Sequence, residues 1–181
     1  MAKTPEELRE EARGCQNCTL WANATQTVFG AGDPHARVML VGEQPGDEED
    51  KKGLPFDREH LYVTNAVKHF KWELRGKRRL HKTPAQREID ACRQWLEAEI
   101  AALKPQVIVC LGSTAAKAVI SKDFKVSMQR GQFVESPLAP YVFATLHPSA
   151  LLRVQEEQDR ELAFKQLVRD LSLIKQALAK D

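Results

Sequence analysis

Four short apolar runs, each closed by glycine, proline or a polar residue, set the pattern of the chain. They lie at residues 37–41, 61–67, 107–111 and 141–145. Runs that are apolar throughout are typical of strands covered on both faces, as in a parallel sheet. Because helical patterns alternate with these strands, we predict a three-layer α/β/α domain around a mainly parallel four-stranded sheet.

The predicted helices carry apolar side chains every three or four residues, which places those side chains on one buried face. The helices are predicted at residues 4–13, 83–103, 115–120 and about 157–179. The second helix is expected to bury Ile89, Cys92, Leu96, Ile100 and Leu103. The last helix is expected to bury Phe164, Leu167, Leu171, Ile174 and Leu178. A turn is expected at residues 31–34 and an edge strand at residues 131–134.

The connection between the first two strands departs from the usual pattern. Parallel neighbours need a crossover of a dozen or more residues, usually a helix. Residues 42–60 are long enough, yet they show no helical apolar stripe, and residues 46–56 are predicted to form a polar loop. We expect residues 1–181 to form a single domain. In this domain the link is either an unusual loop or lacks a segment between Phe56 and Asp57.

Polar residues cluster where the predicted strands end. Residues 42–46 (Gly-Glu-Gln-Pro-Gly) follow the first strand, Asn65 lies near the end of the second, and residues 147–149 (His-Pro-Ser) follow the fourth. Ligands of parallel α/β sheets bind beyond the carboxyl ends of the strands. We therefore predict one shared site that includes Glu43, Asn65 and His147.

Residues 68–82 form a basic segment that ends close to a predicted helix start. The formal net charge of the chain is only +2, so affinity for nucleic acid has to come from a local patch of this kind. Thr83-Pro84, with Gln86 at the capping-box position, predicts a helix start that holds His81 next to a rigid element. A solvated basic loop is the alternative. The segment contains Lys68, His69, Lys71, Arg75, Lys77, Arg78, Arg79, His81 and Lys82, with Phe70 and Trp72 between them.

The four cysteines fit a metal site better than disulfide bonds, because no apolar signal core precedes them and a cytosolic protein is expected. Cys15-x-x-Cys18 in a turn-like context is a typical metal half-site. Cys92 on a helix and Cys110 on the next strand could each be a plain core thiol. Together the four fit zinc or an iron–sulfur cluster, and their spacing does not choose between the two.

Several motifs resemble those of the uracil-DNA glycosylase superfamily, over nearly the whole chain from Cys15 onward. They are residues 42–46, Gly-Leu-Pro-Phe at 53–56, the stretch 63–70 and His-Pro-Ser at 147–149. The four cysteines resemble the iron–sulfur branch, family 4. Gln44 and the run Lys-Arg-Arg-Leu-His at 77–81 resemble the UdgX class. Members of that class excise uracil and then remain covalently attached to the abasic DNA.

The resemblance implies both a cofactor and a substrate. The cofactor is a 4Fe-4S cluster with a structural role, and its implied ligands are Cys15, Cys18, Cys92 and Cys110. The substrate is uracil-containing DNA, from which free uracil is released. Because the reacting base must leave the stack, single-stranded DNA is expected to be preferred. We expect a monomer without membrane association.

For the pocket, the resemblance implies that Phe56 stacks on the flipped-out uracil and that the Asn65 amide contacts its polar edge. His147 would hydrogen-bond uracil O2 and stabilise the negative charge of the departing base. Gln44 and Asp47 would line the pocket. Contacts to phosphates, or a role in holding the loop in place, are expected for Lys77, Arg78 and Arg79.

In the UdgX-like interpretation, His81 replaces the water of an ordinary glycosylase. Its neutral imidazole would attack C1′ of the oxocarbenium-like sugar, while Glu43 accepts a hydrogen bond from the other ring nitrogen. The predicted catalytic residues are therefore His81, Glu43 and His147. The histidine–sugar product has no good leaving group, so a single turnover is expected. His69 and His60 are expected on the surface or on the DNA side.

The chain departs from the family pattern at two places. Leu80 stands where isoleucine is usual, which is a conservative change. The family continues after its Pro-Phe element with a Gly-Pro-x-Gly turn and a long helix, whereas here Phe56 runs directly into Asp57. Three alternatives compete with the UdgX-like function. They are an ordinary multiple-turnover family 4 glycosylase, a non-catalytic single-strand DNA-binding module with a four-cysteine metal site, and a small-molecule hydrolase.

Overall fold

The computed structural model describes residues 3–54 and 59–179 of the chain. Its strands are β1 (Ala31–Gly32), β2 (Val38–Gly42), β3 (Leu61–Asn65), β4 (Trp72–Arg75), β5 (Arg78–His81), β6 (Val107–Leu111) and β7 (Tyr141–Thr145). Its α-helices are α1 (Pro5–Ala12), α2 (Asp47–Lys52), α3 (Gln86–Leu103), α4 (Ser113–Val119), α5 (Val126–Gln129), α6 (Pro148–Leu151) and α7 (Glu157–Leu178). A 3₁₀ turn spans Thr19–Ala22.

In the described part of the chain, five strands form the central sheet in the order β1-β3-β2-β6-β7. The last four run parallel, with Val38 of β2 opposite Leu61 of β3 and Val107 of β6. The predicted mainly parallel α/β architecture is confirmed. The expected number of four strands was one too few, because residues 31–34 were assigned to a turn. Ala31–Gly32 pairs antiparallel with β3, and two residues are too short to show a strand periodicity.

Strand β6 shows how the sheet divides the core. Ile108 and Cys110 face a cluster that includes α3 and α4, whereas Val107 and Val109 face a cluster that includes α7. Successive side chains of a strand point to opposite faces, so the apolar run is buried on both sides. Helices therefore cover both faces of the sheet, which gives the three predicted layers.

Helix α3 begins later than its sequence signal indicated. Gln86 is its first residue rather than its capping-box residue, and Thr83 is not its N-cap. The backbone N–H of Ala85 donates to Glu88 Oε2 at 2.6 Å, so Glu88 caps the helix from its first turn. Thr83-Pro84 consequently belongs to the connection between β5 and the helix.

Helix α7 buries less of its length than its periodicity predicted. Leu167 is buried, and Leu171, Ile174 and Leu178 pack against the core, as expected. The prediction for Phe164 was wrong, because its side chain is exposed. Packing on the sheet begins only at Leu167, so the first turns of α7 carry apolar residues without a buried face. None of the helices in the described ranges is long and apolar enough to cross a membrane.

The link after β2 contains a short helix where a polar loop was predicted. All six residues of α2, Asp47–Lys52, are charged, so no apolar stripe could reveal the helix. Its acidic residues come first and its lysines last, which is the order that the helix dipole favours. The prediction for Phe56 lies outside the described residues.

The edge strand expected at residues 131–134 is reduced to a single bridge. Val134 pairs antiparallel with Val142 of β7, and the stretch does not continue as a strand. Gly131 has a φ of 68°, which breaks the extended backbone that a strand would need. This edge of the sheet is therefore covered by irregular chain rather than by a further strand.

Candidate active site and metal-binding residues

The register of the sheet brings the first two polar clusters together. Gly42, the last residue of β2, lies opposite Asn65, the last residue of β3. A Cβ on Gly42 would overlap Asn65 Oδ1, so glycine leaves the space that the amide occupies. Asn65 is buried at this edge of the sheet. Glu43 is the residue after Gly42. The ends of two neighbouring strands thus carry Asn65 and the residue before Glu43.

The basic segment forms a β-hairpin rather than the predicted loop. Strands β4 and β5 pair antiparallel, with Trp72 opposite His81 and Arg75 opposite Arg78. Two residues form the turn, and the first of them, Gly76, has a φ of 62°. This positive φ suits the two-residue turns that match strand twist. The hairpin places His81 at the end of β5, next to Lys82.

His81 and Glu43 meet at the centre of the site. His81 Nε2 lies 3.1 Å from Glu43 Oε1, and Thr114, in the first turn of α4, donates its hydroxyl to Glu43 Oε2. Burial opposes the ionisation of Glu43. The hydrogen bonds from His81 and Thr114 outweigh it, so the pKa of Glu43 is lowered from its ordinary value. An ionised Glu43 accepts from Nε2–H, and in the neutral form of the ring this tautomer carries its lone pair on Nδ1.

His147 follows β7 and caps the short helix α6. The backbone N–H of Ser149 donates to His147 Nδ1 at 3.1 Å, and the Ser149 hydroxyl lies 2.7 Å from the same nitrogen. Burial lowers the pKa of His147 from its ordinary value, against the opposing charge of Glu43. The ring is therefore held neutral with its proton on Nε2, where it can donate to an acceptor in the site.

Arg79 ties the hairpin to the body of the protein. Its Nε donates to Asp47 at 2.5 Å and its Nη1 to Asp50 at 2.7 Å, and its guanidinium lies over the rings of Phe70 and Trp72. Of the two expected roles, Arg79 thus holds the hairpin in place. Asp50 is completely buried and was missed by sequence reasoning, because one carboxylate in an acidic run carries no distinguishing signal.

The other predicted pocket and DNA-binding residues differ in their contacts. The side-chain amide of Gln44 donates to Lys71 O and accepts from Lys71 N, both at 3.1 Å, so it anchors the start of the hairpin. Asp47, expected in the pocket, pairs with Lys51 as well as with the hairpin arginine. Lys77 and Arg78 are exposed at the hairpin tip.

A buried ion pair lies behind Asn65. Lys68 Nζ donates to Glu99 Oε2 at 2.5 Å and to the backbone oxygen of Asn65 at 2.8 Å. Glu99 also accepts from the Tyr62 hydroxyl at 3.0 Å and from the Gly30 N–H at 2.9 Å. Lys68 had been grouped with the basic patch, but both ends of the pair are fully buried. Burial of a charge beside its partner is invisible in a sequence, since the two residues are far apart in it.

Three of the four cysteines lie near one another. Trp95 Nε1 donates to Cys15 Sγ at 3.2 Å from the same stretch of α3 that carries Cys92. Burial raises the pKa of Cys92 to about 11, and the neighbouring thiols of Cys18 and Cys15 add to the shift. Among the described residues, no three His, Cys, Asp or Glu side chains converge closely enough to hold a single metal ion. The three thiols are therefore near one another but are not arranged around the position of a single metal ion.

Cys110 lies apart from these three. It is fully buried in β6, between Val41 of β2 and Ala144 of β7. Burial is the cause that raises its pKa, without a contribution from another thiol. Its surroundings are those of a core residue.

The prediction that His69 lies on the surface was wrong, because only 3% of it is exposed. His69 Nε2 lies 2.9 Å from Thr27 Oγ1, and burial lowers the pKa of the ring from its ordinary value. Its Nδ1 is buried without a hydrogen-bond partner in the described part of the chain. His60, by contrast, is exposed as expected.

Comparison with known proteins identifies the family of the chain. The Uracil DNA glycosylase superfamily matches residues 29–172. The chain is 32% identical to the type-4 uracil-DNA glycosylase of Thermotoga maritima, over 94% of each protein. It is also 32% identical to that of Sulfurisphaera tokodaii, over 81% of this chain and 75% of the relative. The protein of the same name from Archaeoglobus fulgidus is 29% identical over 90% of both. Because the match spans most of the sequence, the chain belongs to the uracil DNA glycosylase superfamily.

Proposed function

We propose that the protein excises uracil from DNA and then becomes covalently attached to the abasic DNA through His81. The observation that carries this proposal is the contact of 3.1 Å between His81 Nε2 and Glu43 Oε1. A hydrogen bond to an ionised carboxylate fixes the tautomer and leaves Nδ1 as a nucleophile. The type-4 glycosylases to which the chain is similar support uracil as the base.

Cleavage of the glycosidic bond is the first step. The bond between uracil N1 and C1′ breaks, and its electron pair leaves with the base. His147 Nε2–H donates to uracil O2 and stabilises this charge, while the Asn65 amide pairs with the edge of the base. Phe56 is proposed to stack on the ring. These groups select uracil and lower the barrier without forming a bond to the sugar.

Capture is the second step. The lone pair of His81 Nδ1 forms a bond to C1′ of the oxocarbenium-like sugar, which makes the imidazole cationic. The ionised Glu43 stabilises this charge through its hydrogen bond with Nε2–H, and the Nε2 proton is then lost to solvent, which makes the ring neutral again. Atoms and charge balance, since the uracil anion takes up a proton from solvent. The new bond lacks a good leaving group, so the protein acts once.

An ordinary multiple-turnover glycosylase is the second candidate. The relatives carry the name of type-4 uracil-DNA glycosylases, which fits this function equally well. In addition, 43% of the His81 side chain is exposed, so solvent reaches the place from which C1′ is attacked. In this candidate, water attacks C1′ and Glu43 orients it.

We further propose that an iron–sulfur cluster, 4Fe-4S, lies between the N-terminal cysteine pair and α3. Cys15, Cys18 and Cys92 supply three thiolates in one neighbourhood, and thiolates are the usual ligands of iron–sulfur clusters. When bound, the cluster cross-links the chain and takes no part in cleavage. The fourth ligand expected from the sequence, Cys110, does not join this group.

We propose that the chain forms a single domain in which the crossover after β2 is short. The aligned length with the Thermotoga maritima relative is 188 residues, which exceeds the 181 residues of this chain. The relative therefore has residues at positions where this chain has none. We propose that part of this difference lies between Phe56 and Asp57.

A denaturing gel tests the proposal directly. The protein is mixed with a single-stranded oligonucleotide that contains one uracil, and a thymine-containing oligonucleotide serves as control. A slower band that survives heat and detergent is expected for uracil only. A strand that breaks on alkali without such a band would identify the ordinary glycosylase. An intact oligonucleotide would refute both candidates. Duplex DNA should react more slowly, because unpairing costs free energy.

A further inference from the structure

The carboxylate of Glu43 has a different partner at each of its two oxygens. Oε1 lies 3.1 Å from His81 Nε2, and Oε2 accepts a hydrogen bond from the Thr114 hydroxyl. The last torsion of a glutamate side chain is broad, so the side chain by itself does not fix the direction of the two oxygens. Because a carboxylate is planar, a bond that holds Oε2 restricts where Oε1 can point.

Thr114 belongs to a firmly packed part of the protein. It lies in the first turn of α4 and is 8% exposed, and the next two residues, Ala115 and Ala116, are fully buried in the core. A threonine in a helix has only two common χ1 rotamers, so the position of its hydroxyl is well defined. His81, by contrast, ends a strand of the hairpin and is partly exposed. Glu43 thus connects a fixed hydroxyl to a less firmly held imidazole.

The charge of Glu43 sets the direction of the bond from Thr114. Burial raises the pKa of Glu43, and the hydrogen bonds from His81 and Thr114 lower it by more, so the carboxyl group is ionised and can only accept. The Thr114 hydroxyl is therefore the donor. His81 and His147 are ionisable neighbours whose charges also act on Glu43. A charge attracts the carboxylate without orienting its oxygens, whereas a hydrogen bond is directional. Thr114 supplies this directional contact from the body of the protein.

We propose that Thr114 is a positioning residue that holds Glu43 in contact with His81, and that capture of the DNA depends on it whereas release of uracil does not. The inference deepens the proposed function and rests on it. With Oε1 turned towards Nε2–H, the neutral ring keeps the tautomer whose lone pair is on Nδ1. Without the hydroxyl the carboxylate can turn away, and the ring divides between its two tautomers. Cleavage is proposed to use Asn65 and His147, so it continues.

Single-turnover kinetics with a single-stranded uracil oligonucleotide tests this role. Thr114→Val keeps the branched shape and Thr114→Ala favours the helix, but both lack the hydroxyl, which Thr114→Ser restores. Adduct formation should fall about tenfold in the first two variants, because a hydrogen bond to a charged group is lost. Uracil release should be unchanged, Thr114→Ser should resemble the wild type, and circular dichroism checks the fold. Wild-type capture by Thr114→Ala, an equal loss in Thr114→Ser, or an equal fall in release would overturn the inference.

Nuclear magnetic resonance of the protein without DNA separates a failure of this inference from a failure of the proposed function. The ¹⁵N shifts of labelled histidine report the tautomer of His81, assigned by comparison with His81→Ser, at about pH 8, where an ordinary imidazole is neutral. The Nε2–H form is expected in the wild type and a mixture of tautomers in Thr114→Ala. This change in a protein that forms no adduct would refute capture but support the role of Thr114. An Nε2–H form kept in Thr114→Ala would overturn the inference, with or without an adduct.

Discussion

The two histidines of the site have different kinds of support. His147 is separated from β7 of the main sheet only by Leu146, and its ring is fixed by Ser149 within its own turn. His81 ends a strand of a separate two-stranded hairpin, and 43% of its side chain is exposed. An isolated two-stranded hairpin is marginally stable by itself, so its position depends on contacts with the body.

This difference separates the two proposed steps. Cleavage relies on groups at the rigid edge of the sheet, Asn65 and His147. In the proposal, capture relies on His81, which lies at the end of the hairpin within hydrogen-bond distance of Glu43. Loss of the hairpin contact should therefore abolish or slow capture and leave cleavage intact, whereas damage at the sheet edge should slow both.

His81→Ser gives the largest expected effect. The adduct band should disappear, because serine lacks the imidazole nucleophile, while uracil release continues with water in the vacated space. A denaturing gel measures the adduct, and alkaline strand breakage measures release. His35→Ser, which changes an exposed histidine outside the site, is the matched control and should behave like the wild type. Full cross-linking by His81→Ser would refute the assignment of the nucleophile.

His147→Ala should slow both steps together. Removal of one donor to a developing anion typically costs a factor of about 100–1000 in rate. Single-turnover kinetics of uracil release measures the effect, and adduct formation should fall by the same factor, since capture follows cleavage. Ser149→Ala, which removes only the hydroxyl near His147 Nδ1, should have a much smaller effect because the backbone N–H still fixes the ring. Unchanged release in His147→Ala would contradict the proposed role.

Arg79→Met should slow capture, because the hairpin that carries His81 loses contacts that hold it in position. The substitution keeps an apolar side chain next to Phe70 but removes the ion pairs to Asp47 and Asp50. Adduct formation is expected to fall about tenfold, which corresponds to about 1.4 kcal/mol, with little change in uracil release. Arg78→Met, at an exposed neighbouring position, is the control for lost charge. Equal effects of the two variants would show that Arg79 acts on DNA rather than on the hairpin.

The sequence predicted those parts of the site that depend on which residues follow each strand. Glu43, Asn65 and His147 each lie at or just after a strand end, and parallel strands bring such ends together. The contact between His81 and Glu43 was expected from the resemblance, and the structure places the two within hydrogen-bond distance. What these residues do chemically stays a prediction.

The parts that were missed depend on pairing between distant segments. Lys68 and His69 belong to a basic run, which predicted exposure, yet Glu99 and Thr27 meet them in the interior. No local pattern marks which member of a charged run is buried. Helix α2 was missed for a related reason, since a helix without apolar residues has no periodicity to detect.

The smallest expected effect concerns stability. Burial lowers the pKa of His147 in the folded protein, so below about pH 6.5 an unfolded chain binds a proton that the folded chain excludes. This contribution to the free energy of unfolding is fully present above the unfolded pKa and is lost as the pH falls below it. Denaturant titrations at about pH 7.5 and about pH 5.5 should show a smaller loss for His147→Gln than for the wild type. The same loss in both would mean that another group carries the pH dependence, and that the ring of His147 titrates in the folded protein as it does in the unfolded chain.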